Sequence, residues 1–101
     1  MSFQHLSVGE LKTLLDEREL VLLDIRDDAS YEAGHIDGSL RLNERSVSSI
    51  INDIEKTSAV VVVCYHGHSS QGAANYLVEQ GFCDVYSLDG GYTAWASSLQ
   101  R

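Results

Sequence analysis

The sequence predicts an α/β fold, a parallel sheet covered by helices on both faces, in one domain over residues 1–101. Three observations carry this. Short apolar runs alternate along the chain with amphipathic stretches of helical period, the order that makes parallel crossovers. Two of the runs, "LVLLDIR" and "SAVVVVC", are nearly continuous rather than alternating, as strands buried on both faces must be. A chain of 101 residues suffices for one hydrophobic core and leaves no room for a second.

The elements follow in order. In "HLSVGELKTLLDE", Ser7 is placed as an N-cap with Glu10 three residues on, a capping-box spacing, and Val8, Leu11, Leu14 and Leu15 recur on one helical face. Leu20 to Arg26 reads as a buried strand, and Ser39 to Asn43 ("SLRLN") alternates as a short one. "SVSSIINDIEK" spaces Val47, Ile50, Ile51 and Ile54 for a helix. "SAVVVVC" is the most hydrophobic and most β-branched segment, hence the central strand. "SSQGAANYLVEQG" is a helix with Ala73, Ala74, Leu77 and Val78 inward and Gly81 at its C-terminal cap. "DVYSL" is a further strand and "GYTAWASSL" a last helix.

Bulk properties exclude several classes of function. The composition, 44% hydrophobic and 22% charged, is that of an ordinary globular protein, with no proline-rich linker, low-complexity tract or internal repeat. The longest apolar run, Ala59 to Tyr65, is far short of the ~20 residues that cross a bilayer. The start "MSFQHLSVGE" has neither a basic nor an apolar leader region, so a cytoplasmic chain with no membrane partner is expected. With a formal charge of −8 and no basic cluster, nucleic acid is not an expected partner. Cys64 and Cys83 form neither a CxxC pair nor a zinc spacing, and free thiols are expected.

Cys64 raises the functional question. It ends the central strand, and open α/β sheets place ligands at the carboxyl ends of their strands. Tyr65, His66, Gly67 and His68 lead from it into a helix starting near Ser69 or Ser70. Such a short loop turns its backbone N–H groups inward as an anion nest, and the helix aims its positive end at the same point. Gly67 allows the unusual dihedrals of a tight loop, while Ser69 and Ser70 are candidates for capping and hydroxyl donation. A free thiol has a pKa of ~8.5, and lowering it by two units takes about 2.7 kcal/mol. A helix terminus supplies up to ~2 kcal/mol and inward N–H groups the remainder, so no catalytic base is required. Cys64 could instead be a small buried packing residue, or a metal ligand with His66 and His68. The second lacks a fourth ligand, and the Gly-and-Ser loop favours catalysis over the first.

Three segments in register resemble the rhodanese family, in particular its single-domain sulfurtransferases of the GlpE type. They are "DIRDDASYEAGHIDGS" (Asp24 to Ser39), the loop "CYHGHSS", and "SLDGGYTAW" (Ser87 to Trp95). The resemblance implies a five-stranded, mostly parallel sheet flanked by helices, with the active loop after the fourth strand. It implies a double displacement in which Cys64 thiolate takes the outer sulfur of thiosulfate, sulfite leaves, and a Cys64 persulfide passes sulfur to cyanide or a thiol such as thioredoxin. It implies no metal and no organic cofactor. The backbone of Tyr65, His66, Gly67, His68, Ser69 and Ser70 would be the substrate cradle. Phosphatases and arsenate reductases on this fold use a longer loop, Cys-x5-Arg; here that position holds Ser70, which disfavours them. A sulfur-relay or interaction module using Cys64 without turnover remains an alternative.

The other candidates read mainly as structural. Asp24 and Arg26 form an expected ion pair between neighbouring loops, with substrate contact the second reading. His35 is expected to hydrogen-bond backbone rather than act as a base, and His66 and His68 to face solvent. Asp37 stands where the first signature often has proline, a surface change. Cys83 is expected to pack at the core or sheet edge rather than resolve a disulfide. "DGG" reads as a turn needing the freedom of Gly90 and Gly91, and Trp95 as the packing anchor of the last helix.

Overall fold

The computed structural model describes residues 2–99. Five strands, β1 (Gln4–Leu6), β2 (Val21–Asp24), β3 (Leu40–Arg41), β4 (Ala59–Val63) and β5 (Asp84–Leu88), form one sheet in the order β1-β5-β4-β2-β3. Every pairing is parallel. Five helices connect them: α1 (Val8–Glu17), α2 (Asp28–Ala33), α3 (Val47–Asp53), α4 (Ser69–Glu79) and α5 (Gly91–Ser98).

The four valines make β4 the centre of the sheet, and all five of its residues are buried. Its side chains alternate between the two faces, as strand geometry requires. Val60 and Val62 join Leu23, Ile51, Ala74, Leu77 and Phe82 on the face covered by α3 and α4. Val61 and Val63 join Leu6, Leu11, Leu22, Ile36 and Leu88 on the face covered by α1 and α5, with Trp95 packed against them. Burying a valine in this way contributes ~1.5–3 kcal/mol, so β4 is a rigid base for whatever follows it.

Local signals act as the sequence implies. Ser7 and Glu10 close the capping box of α1, Oγ accepting from Glu10 N–H and Glu10 accepting from Ser7 N–H. Gly81, at φ +102, ends α4: its N–H donates to Val78 O and the Phe82 N–H to Leu77 O, the paired bonds of a Schellman motif.

Some boundaries differ from expectation. Residues 39–43 yield a two-residue strand, because β3 is an edge paired to β2 alone. The third helix stops at Asp53, where Ile54 turns extended. Strand β1 and helix α2 carry no period of their own. β1 forms because Gln4, His5 and Leu6 pair with Tyr86, Ser87 and Leu88, and α2 because Asp27 caps it by accepting from Ser30 N–H.

Candidate functional site

Cys64 follows β4 at the carboxyl end of the sheet and is 3% exposed. The chain leaves β2 toward β3 and leaves the adjacent β4 toward β5, so the two loops diverge beside Cys64. That divergence is the switch point at which open α/β sheets hold ligands.

The loop is folded by hydrogen bonds that send its carbonyls outward and leave N–H groups for the sulfur. Tyr92 N–H donates to Cys64 O at 2.7 Å and Thr93 N–H to Tyr65 O at 3.1 Å, so the first turn of α5 grips the loop from behind. Gln71 Nε2 donates to Gly67 O at 2.8 Å. On the inner side Gly67 N–H donates to Cys64 Sγ at 3.1 Å, and Ser70 Oγ lies 3.2 Å from the same sulfur. Ser70 Oγ is in turn 2.7 Å from Ser87 Oγ on β5, and both serines are fully buried.

Two glycines make the arrangement possible. Gly67 has φ +90, and a Cβ there would stand 2.8 Å from Gly90 N and 3.1 Å from Leu88 O. Gly91 has φ +59, and its Cβ would fall 2.4 Å from Cys64 O and 2.6 Å from the Tyr65 carbonyl. The "DGG" turn is thus more than a turn: it lets α5 approach the loop backbone closely enough to bond it.

Burial pushes the Cys64 thiol up. The Ser70 hydroxyl and the N–H groups of Ser70, Gly67 and His66 outweigh that, and the thiol stands below its ordinary value. The start of α4 adds its dipole in the same sense.

Of the residues expected at the site, Cys64, Gly67 and Ser70 come together around the sulfur. Tyr65, His66, His68 and Ser69 have exposed side chains. Tyr65 reaches across the mouth, its hydroxyl 3.1 Å from Ser30 Oγ. The serines do not cap α4. His68 holds the N-cap position with helical dihedrals and no side-chain cap, and Ser70 is turned inward to the thiol and Ser87. Among the described residues, no group of three or more His, Cys, Asp or Glu side chains is placed to hold a metal, so Cys64, His66 and His68 do not converge.

Asp24 and Arg26 form a buried, bidentate ion pair, with Arg26 Nη2 at 2.8 Å from Asp24 Oδ2 and also donating to Gly34 O at 2.7 Å. The guanidinium stacks 4.0 Å from the Tyr92 ring centroid and so braces the α5 turn that grips the loop. His35 Nδ1 bonds Tyr31 O at 2.7 Å and its ring stacks on Tyr31, a structural role. Cys83 is exposed just before β5, its sulfur 3.4 Å from Lys56 O, and packs in no core.

Sequence reasoning missed Ser87. The available signal was its alternation with Val85 in β5, which points both toward α4 and leaves one hydroxyl in an apolar layer. It missed equally the gripping of the loop by α5, which depends on distant residues meeting.

The rhodanese-like domain family matches residues 7–98. Over its whole length the chain is 51% identical to thiosulfate sulfurtransferase GlpE of Pseudoalteromonas translucida (strain TAC 125), covering 96% of that relative. It is 51% identical over 94 residues to the protein of the same name from Shewanella oneidensis, covering 93% of each. Among solved structures, the rhodanese-like domain of the Anabaena sp. Alr3790 protein aligns with TM-score 0.85 and 30% identity, over 98% of this chain and 76% of that one. A rhodanese-like domain protein from Staphylococcus aureus gives TM-score 0.82 and 26% identity, over 92% and 91%. The chain belongs to the rhodanese family. Within it, the chain is of the single-domain GlpE type and is an enzyme of the sulfurtransferase class.

Proposed function

We propose that this chain, as a single rhodanese domain over residues 1–101, transfers the outer sulfur of thiosulfate through a persulfide on Cys64. The final acceptor is cyanide or a thiol such as that of thioredoxin. The observation that carries the reading is the Gly67 N–H and Ser70 hydroxyl, both within hydrogen-bonding distance of one depressed, buried thiol. The names of its relatives supply the donor, thiosulfate.

In the first step the Cys64 thiolate attacks the outer sulfur of thiosulfate. The bond between the two thiosulfate sulfurs breaks, and sulfite leaves with the electron pair. The product, an anionic persulfide, is held by the loop N–H groups, which were organised before reaction and need not reorient. In the second step cyanide carbon, or an acceptor thiolate, attacks the terminal sulfur. The Cys64–sulfur bond breaks toward Cys64, regenerating the thiolate. Two displacements balance without a change in net oxidation state, so the chemistry requires no metal or organic cofactor. The site offers a hydroxyl, Ser70, where phosphatases of this fold place the arginine that grips a tetrahedral oxyanion, which supports sulfur as the cargo.

Intact-mass measurement after incubation with thiosulfate tests the proposal. One added sulfur, removed by cyanide and absent in Cys64→Ala, is expected. An unmodified, reduced Cys64 would refute it.

A further inference from the structure

We propose that Ser87 is a positioning residue: its buried hydroxyl directs the Ser70 hydroxyl onto Cys64 Sγ. Ser87 is wholly buried on β5, and its backbone is in register with Val62 on one side and His5 on the other. Among the described residues, its Oγ has one hydrogen-bond partner, Ser70 Oγ at 2.7 Å. Ser70, equally buried, lies between Ser87 and the sulfur at 3.2 Å. Each hydroxyl carries one proton and can accept others.

In the thiol form the sulfur donates to Ser70 Oγ; as a thiolate it can only accept, and two directions are then available to this pair of hydroxyls. If Ser87 donates to Ser70, the Ser70 proton goes to the sulfur and every hydroxyl proton has an acceptor. If Ser70 donates to Ser87, the Ser87 proton is buried without an acceptor and the sulfur loses its hydroxyl donor. Buried polar groups adopt the satisfied arrangement, so the first direction is selected. It is also the direction an anionic sulfur requires, and a donor that is itself hydrogen-bonded is a stronger donor.

Other charged or titratable groups at this end of the sheet do not take over the role. The Asp24–Arg26 pair at the end of β2 is closed on itself and on Gly34 O, and His5 of β1 is bonded to Asp89 after β5. Tyr65, bonded to Ser30, and His66 and His68 are exposed. None of these side chains is hydrogen-bonded to the sulfur or to either serine.

The inference concerns the ionisation of Cys64 and rests on the proposed reaction only for its catalytic consequence, so the test uses no sulfur donor. In a Cys83→Ser parent, which leaves one thiol, the pH dependence of iodoacetamide alkylation reads the Cys64 thiolate. Ser70→Ala removes the donor to sulfur and is expected to raise the midpoint by about one unit, a tenfold loss of thiolate at neutral pH. Ser87→Ala, which conserves most of the volume, is expected to raise it by about half a unit, a threefold loss. Ser87→Thr, which keeps the hydroxyl, should retain the parent midpoint. In a Ser70→Ala background, Ser87→Ala should move the midpoint no further, because its effect passes through Ser70. A Ser87→Ala midpoint equal to or below the parent's, a Ser87→Thr midpoint as high as alanine's, or an undiminished Ser87→Ala shift without Ser70 would each overturn the assignment.

Discussion

Gly91→Ala is the most severe small change the structure allows near the site, because it strikes the contact between α5 and the loop. The new Cβ would stand 2.4 Å from Cys64 O and 2.6 Å from the carbon and oxygen of the Tyr65 carbonyl. These are backbone atoms and cannot swing aside as a side-chain end would. The φ of +59 adds a left-handed conformation, costing an alanine about 1–2 kcal/mol. Relieving the overlap means moving α5 off the loop, which breaks the Tyr92 N–H to Cys64 O and Thr93 N–H to Tyr65 O bonds. At about 1 kcal/mol each, these bring the expected loss to about 3–4 kcal/mol, a large share of a typical stability of 5–15 kcal/mol. Urea unfolding reads the stability, and Cys64 alkylation in the Cys83→Ser parent reads the loop, since carbonyls released from α5 disorder the N–H groups facing the sulfur. Gly72→Ala is the control: it lies in α4 with nothing within 4 Å of its Cβ, and should stabilise the protein by ~0.5–1 kcal/mol. If Gly91→Ala unfolds at the parent's urea midpoint and alkylates with the parent's pH profile, the loop is not seated by α5.

Asp24→Asn leaves the buried Arg26 guanidinium without its counter-charge and should cost about 3–5 kcal/mol in urea unfolding. The double change with Arg26→Met should recover a large part of that; an unaltered single variant would disprove the brace. Because the folded Cys64 thiol lies below its unfolded value, its contribution is fully present above the unfolded pKa of ~8.5 and is lost as pH falls through the folded pKa. The stability of the parent relative to Cys64→Ala should therefore rise with pH across that window, under reducing conditions; a flat or falling difference would contradict it. For thiosulfate, a dianion approaching a chain of charge −8, added salt should leave kcat/KM unchanged or raise it. A steep fall with ionic strength would reveal a local cationic patch.

What the sequence disclosed and what it withheld divide along a physical line. β4, the capping box of α1 and the Gly81 cap were legible because each is a local pattern: a run of β-branched residues, a four-residue reciprocal bond, one left-handed glycine. Cys64 was legible because strand end, loop and helix start are contiguous. β1 was not, since three residues with one buried side chain make a strand only when β5 is already there to pair with. The exposure of Cys83 was hidden by the apolar residues nearby: it lies in the bend ahead of β5, outside the strand whose alternation buries Val85, and the burial of its neighbour Phe82 does not extend to it.

The contacts that complete the loop were withheld for a different reason: they close distances between segments far apart in the chain. Ser70 and Ser87 are 17 residues apart, and nothing in either segment names the other. Local reading gave Ser70 two roles, a helix to cap and a hydroxyl to donate; the fold drops the cap and turns the hydroxyl to the sulfur. In the fold, that hydroxyl lies between a buried sulfur and a buried serine, whose positions only the β4–β5 pairing creates. The same pairing brings Gly90 against Gly67 and Gly91 against Cys64 O, so the sheet sets both the shape of the loop and the donor facing its sulfur. On the proposed reading, a cradle assembled in this way holds an anion by backbone and hydroxyl donors, which act at short range and so tolerate a chain of charge −8 without an arginine at the sulfur.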